Sequence, residues 1–396
     1  MTDPNWHPPA NEPDRPRYGE YSPGKQPGPP PVGPAYGYRP TPPPAWTPPP
    51  KPGLIPLRPL GFGTLLGAPF QVLRRNPKAT FGSALLVQAV TVLVTLVVVG
   101  AVTFFALGRI ESAPVEDQDA VEAGAIVAIV LSALVPLALS IVASALLQGV
   151  IVLEVARATL GEKLRLAALW RQVGRRVWPL VGWILLLTVA LLVGVLLVAG
   201  LVFVCALLGG GWIALAVIVG VVGGLGLIAA YAWVNTKTAL VPSLIVLERL
   251  RIWAAVRRSW SLTTGFFWRT LGVLLLIGLI VGVISQIVTT PLTLLFSAAT
   301  ALIDPNASFE AYIPAGVLYL LTILVTLVVG AVAAVVQSAA VALIYIDLRM
   351  RKEGLDLELQ RFVEAAPGSA PADPYLRGTG TATDEAPRPD PGAPWA

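Results

Sequence analysis

The sequence predicts an all-α integral membrane protein. Its six transmembrane helices form three helical pairs, each preceded by a cytoplasmic amphipathic interfacial helix. Three observations lead there. Of 396 residues, 55% are hydrophobic and only 13% charged, with mean hydropathy +0.72; a soluble domain carries about 25% charged residues. Charge-free runs supply six stretches of the roughly 20 residues that one span needs. A basic, Trp-bearing unit also repeats: Leu164-Arg-Leu-Ala-Ala-Leu-Trp-Arg-Gln172 matches Leu250-Arg-Ile-Trp-Ala-Ala-Val-Arg-Arg258, with a weaker copy at Leu65 to Arg75.

Residues 1–53 are rich in Pro and Gly, as in Pro44-Ala-Trp-Thr-Pro-Pro-Pro50. Such a segment buries too little apolar area to offset its ordering entropy and is expected to be a disordered cytoplasmic tail. The membrane domain is expected over 54–362, with a second Pro/Gly-rich tail over 363–396. No apolar run opens the chain, so no cleavable signal peptide is expected.

Span 1 is expected over 79–108. Arg109 to Glu122 follows with five acids and one base. Span 2 covers 123–153, with Pro136 as a kink. The basic stretch Glu154 to Arg176 contains the second amphipathic unit, whose apolar face is Leu166, Trp170, Val173 and Val177. Val177 to Val234 is charge-free and too long for one helix. Gly209-Gly210-Gly211 divides it into span 3 (177–208) and span 4 (212–234). Asn235-Thr-Lys237-Thr then breaks the apolar pattern, and Lys237 is expected to snorkel past the span's end. In the third amphipathic unit Ile252, Trp253, Val256 and Trp260 share one helical face; Glu248, Arg251, Arg258 and Ser259 share the other. Such helices lie in the membrane–water interface. Span 5 covers 267–296, opening on Trp268 and Arg269 as an interfacial anchor pair. Span 6 covers 313–346, with Asp347 and Arg349 read as a stop-transfer edge. Leu355, Leu359, Phe362 and Val363 fit a last amphipathic helix.

With the N-terminus inside, the external segments hold one of the 28 Lys/Arg residues, Arg109, and seven acids. The positive-inside rule therefore predicts a multi-pass protein of the plasma membrane with both termini cytoplasmic. The basic faces, at Arg171, Arg175, Arg251, Arg257 and Arg258, are expected to meet anionic phospholipid headgroups. Nucleic acid is not an expected partner, because these arginines lie against the membrane and no reading module accompanies them.

An enzyme needs acids, bases or metal ligands held at one place. The spans carry mainly Gln88, Gln148, Gln286, Gln337 and scattered hydroxyls, and each glutamine is expected to bond to a neighbouring helix. Cys205 is the single cysteine and His7, in the tail, the single histidine. No catalytic residue, metal site or cofactor is expected.

Five segments stand out in order along the chain: Pro56-Leu-Arg-Pro-Leu60, Leu73-Arg-Arg-Asn-Pro77, Glu248-Arg-Leu-Arg-Ile-Trp-Ala-Ala-Val-Arg-Arg-Ser-Trp-Ser-Leu262, Phe267-Trp-Arg269 and Tyr345-Ile-Asp-Leu-Arg-Met-Arg-Lys-Glu-Gly-Leu355. Through them the chain, from about Leu54 to Phe362, resembles bacterial polytopic proteins related to the membrane domain of glycerophosphoryl diester phosphodiesterases. The resemblance implies a multi-pass membrane fold. The phosphodiesterase activity of that name belongs to a separate soluble barrel, for which this chain has no room, so no enzymatic activity carries over. The expected function is a non-enzymatic scaffold or accessory protein that engages phospholipid headgroups, with room for a membrane or cytoplasmic protein partner. The alternative is a transporter or permease for a small or lipidic solute, and a cavity lined by the four glutamines would favour it.

Overall fold

The computed structural model of the chain describes residues 53–162, 164–174, 176–303, 309–364 and 373–376. Nearly all of the predicted N-terminal tail and most of the C-terminal tail lie outside those residues. Among the described residues there is no strand, and six helical stretches are long and apolar enough to cross a membrane.

Helix α1 (Phe62–Arg75) precedes α2 (Phe81–Ser112), which supplies the first stretch. The second is discontinuous: α3 (Gln118–Ser132) and α4 (Leu134–Thr159) meet at Ala133, within the first turn before Pro136. Proline has no N–H for the carbonyl four residues back, so the break falls where the sequence placed a kink. Helix α5 (Leu166–Gly174) leads to α6 (Val177–Leu207). The turn into α7 (Trp212–Thr238) uses left-handed Gly209 (φ 64°) and Gly210 (φ 53°), a conformation glycine adopts without strain. Next come α8 (Val241–Leu247), α9 (Ile252–Thr263), α10 (Phe267–Ala301), α11 (Ile313–Glu353) and α12 (Leu355–Glu364).

Several helices outrun the apolar stretches that predicted them. Asn235 to Thr238 do not interrupt α7. The Thr236 and Thr238 hydroxyls donate to the carbonyls of Ala232 and Val234 (2.7 Å each), which satisfies these polar groups inside the helix. Helix α11 continues past residue 346 to Glu353, because its charged last turns find partners within the protein.

Helix α11 is the hub of the fold, packing against α10, α4, α2 and α1 and, near its C-terminus, against α8, α9 and α12. Helix α6 packs on α7, and α2 on α3 and α4. Burial is concentrated at one end: the second half of α4, six of the seven residues of α8, and most of α11 from Val335 to Met350. Toward the other end the helices expose Leu, Val and Phe side chains. In a bilayer such surface gains little by helix contact, since lipid tails are equally apolar.

Two close approaches fix this packed end. A Cβ on Gly149 of α4 would stand 2.5 Å from Cγ1 of Val173, so glycine there lets α5 lie on α4. A Cβ on Gly53 would stand 2.4 Å from the Thr159 carbonyl oxygen; without one, the N-terminal strap runs against α4, and Leu54 N–H donates to Ala158 O (3.0 Å).

Candidate functional site

The repeated amphipathic helices present corresponding faces. Leu169 and Val173 of α5 are buried, and so are Ala255 and Ser259, their counterparts in α9. The inward face of α9 is thus the one with Arg258 and Ser259, while Trp253 is 70% exposed. Arg258, expected to meet lipid headgroups from the face opposite the tryptophans, turns instead to Glu248 and Glu353. Ser259 donates to the Lys237 carbonyl (2.7 Å). The Lys237 ammonium lies 5.4 Å from the Trp260 ring and 5.6 Å from that of Phe267, an aromatic cradle worth about 0.5–1 kcal/mol when exposed.

Below α9 lies a buried ionic network. The Glu248 side chain is fully buried; it accepts from Arg258 Nε (3.2 Å) and from the Tyr345 phenol (3.0 Å). Arg349, also buried, donates to the Tyr345 oxygen (3.0 Å) and to Glu353 (3.1 Å), and Glu353 also pairs with Arg258 (2.6 Å). Burial opposes the charge on Arg258, but its bonds to Glu353 and Glu248 outweigh that and raise its pKa above the ordinary arginine value.

A second node surrounds Asp347. Its carboxylate accepts from Leu60 N–H (2.8 Å) and Arg351 Nε (3.0 Å) and lies 3.3 Å from Arg269. Arg269 and Arg351 both donate to the Leu60 carbonyl (2.6 and 2.7 Å). The N-terminal strap is therefore pinned to α10 and α11. Asp347 and Arg349, read from sequence as a stop-transfer edge, are buried anchor points of the fold, and Arg269 turns inward to Asp347 and Leu60 while Trp268 is 80% exposed.

One helical turn beyond this network, toward the apolar end, a cavity of about 500 Å³ opens among α4, α6, α7, α8, α10 and α11. Its polar lining includes Gln148, Gln337, Asn235, Tyr231, Thr188 and Ser338; Trp183, Leu187 and Ile277 are among the apolar walls. Among the described residues, the amides of Gln148, Gln337 and Asn235 make no side-chain hydrogen bond. Gln286 is exposed and accepts from Thr290 on its own helix, and the Gln88 amide rests against Gly330 of α11. The expected glutamine bonds between helices are absent among the described residues. A second cavity, between α2 and α3 at the other end, is bounded mainly by aliphatic groups with Arg109 and Asp117 at its edge.

Of the arginines expected at headgroups, Arg171, Arg251 and Arg257 are exposed, and Arg175 lies outside the described residues. Arg258 is engaged by Glu248 and Glu353 instead. Reasoning from sequence assigned no role to Tyr345 or Glu353 and read Arg349 as a stop-transfer edge, so it missed the network that joins all three. Their spacing of four puts them on one face of α11, a polar stripe on a helix read as apolar. No family model, curated protein or solved structure matches this chain.

Proposed function

We propose that this chain is a non-enzymatic multi-pass protein of the plasma membrane, both termini cytoplasmic, that binds an uncharged polar or amphiphilic solute within the bilayer and serves as its permease. The observation that carries this reading is the cavity with three unpaired amides. Gln148 and Asn235 are half-buried and Gln337 is exposed, so all three amides are accessible to a ligand with hydroxyl, ester or amide groups. Among the described residues no carboxylate, lysine or arginine lines the cavity, which favours an uncharged ligand portion over an ion. In this arrangement the three helical pairs each contribute to the site, as repeats do in transporters. Helices α1, α5 and α9 lie at headgroup depth, where the exposed Arg171, Arg251 and Arg257 attract anionic lipid at about 1 kcal/mol each. The resemblance to the membrane domain of glycerophosphoryl diester phosphodiesterases is compatible with a lipidic ligand. The scaffold reading draws support from the ionic network, which fastens one end of the bundle.

The test is native mass spectrometry of the protein from nanodiscs. A bound species beyond bulk lipid is expected. Gly278→Leu should abolish it, because Gly278 belongs to the cavity wall and a Cβ there meets no atom within 4 Å, which leaves room for the larger side chain at the expense of the cavity. Arg251→Gln with Arg257→Gln should lower retained anionic lipid and leave the cavity species in place. An unchanged set of bound species in Gly278→Leu favours the scaffold.

A further inference from the structure

Within the C-terminal tail, Asp373-Pro374-Tyr375-Leu376 is docked on the packed end of the bundle. Asp373 pairs with Arg157 of α4 (2.5 Å). The Tyr375 ring is buried and its phenol hydrogen-bonds with the Thr159 hydroxyl. Arg349 of α11 donates to the Tyr375 carbonyl (3.3 Å). The segment is also shaped for docking: Asp373 Oδ1 accepts from Tyr375 N–H (3.1 Å), and Leu376 N–H donates to Asp373 O (3.0 Å), closing a turn around Pro374. An acid, a rigid turn and a buried aromatic with a polar tip are the parts of a peptide ligand.

We propose that Arg157, Thr159 and Arg349 form a peptide-recognition site for an acidic side chain followed two residues later by tyrosine, and that Asp373–Leu376 is its resident ligand in cis. Each partner reads one feature: Arg157 the carboxylate, Thr159 the phenol, and Arg349 the backbone between helix and tail. Because Arg349 also belongs to the Glu248 network, tail occupancy reaches the interior of the bundle. The site stands apart from the solute cavity, so it does not depend on the permease reading.

Hydrogen–deuterium exchange on the full chain in nanodiscs tests it. Exchange at 373–376 is expected to be slow, and Asp373→Asn or Tyr375→Ala should speed it about tenfold, the scale of one charge-assisted hydrogen bond. Both variants lie outside the helices, so unchanged exchange in α6 and α7 identifies a local effect. A synthetic peptide of residues 370–379, added in excess to the Tyr375→Ala chain, should slow exchange at the end of α4, and the same peptide with Tyr375→Ala should not. Equal exchange at 373–376 in the unaltered chain and its variants, or no protection by the peptide, overturns the proposal.

Discussion

Glu248 is the residue on which most of the interior charge depends. Its carboxylate faces two guanidiniums and a phenol in a space closed to water. Removing one partner of such a group leaves the others buried and uncompensated, a loss of about 3–5 kcal/mol. Glu248→Leu should therefore sharply lower stability in denaturant titration of the protein in mixed micelles. Adding Arg349→Met should recover part of the loss; strict additivity would deny the coupling. Tyr375 gives a pH signature. Burial pushes its phenol above the ordinary tyrosine value, so docking favours the neutral form. The sign follows: the docked tail is fully favoured below the free tyrosine pKa of about 10 and loses that favour as pH rises toward the docked value. Protection of the 373–376 amides, taken relative to their intrinsic base-catalysed exchange at each pH, should fall above that pH, and Tyr375→Phe should remove that fall.

Among the elements, the seat of α5 on α4 is the most sharply constrained. Gly149→Ala should cost about 1–3 kcal/mol, because Val173 is buried and short and has little room to retreat. Val173→Ala in the same chain should restore stability in the same unfolding assay, whereas an independent effect of the alanine would leave the loss intact. The spans themselves were legible in the sequence, since absence of charge over twenty residues has few other causes. The orientation of α9 was not. Periodicity separates a tryptophan face from an Arg258–Ser259 face, but it does not tell which one meets protein. In water the apolar face packs inward. In α9 the buried strip of Ala255, Ser259 and Leu262 lies between the two faces: Ile252 and Val256 pack on the core from one side, Arg258 reaches Glu248 from the other, and Trp253 stays outside. The acid partner lies ten residues from Arg258 and the second acid ninety-five, distances no helical pattern reports.

At the scale of the whole molecule, the basic end is packed and ionically fastened while the other end is open. The proposed topology puts the packed end in the cytoplasm. In a Cys205→Ser background, single cysteines at Gln118 and Gly210 should react with a membrane-impermeant thiol reagent in intact cells. Cysteines at Gln172 and Ser261, both exposed at the basic end, should react only after permeabilisation. Labelling of Ser261→Cys from outside would overturn the topology. The cavity was only half legible. Gln148, Gln337 and Tyr231 were visible as polar residues in apolar runs, but Asn235 joins them only because α7 runs on past residue 234. The ends of the chain were the least legible part. Pro56 to Leu60 and Asp373 to Leu376 carry little periodicity, and their bonds are made by backbone groups and by partners hundreds of residues away.

The bond from Leu60 N–H to Asp347 spans 287 residues. At a synthesis rate of about 5–20 residues per second, the strap leaves the ribosome roughly 15–60 seconds before its partner exists. The first described segment is thus completed by α11. A chain stalled short of that helix holds its strap through Leu54 on α4 and, once α10 is made, Arg269 on Leu60, so the seat of the strap records how far synthesis has gone.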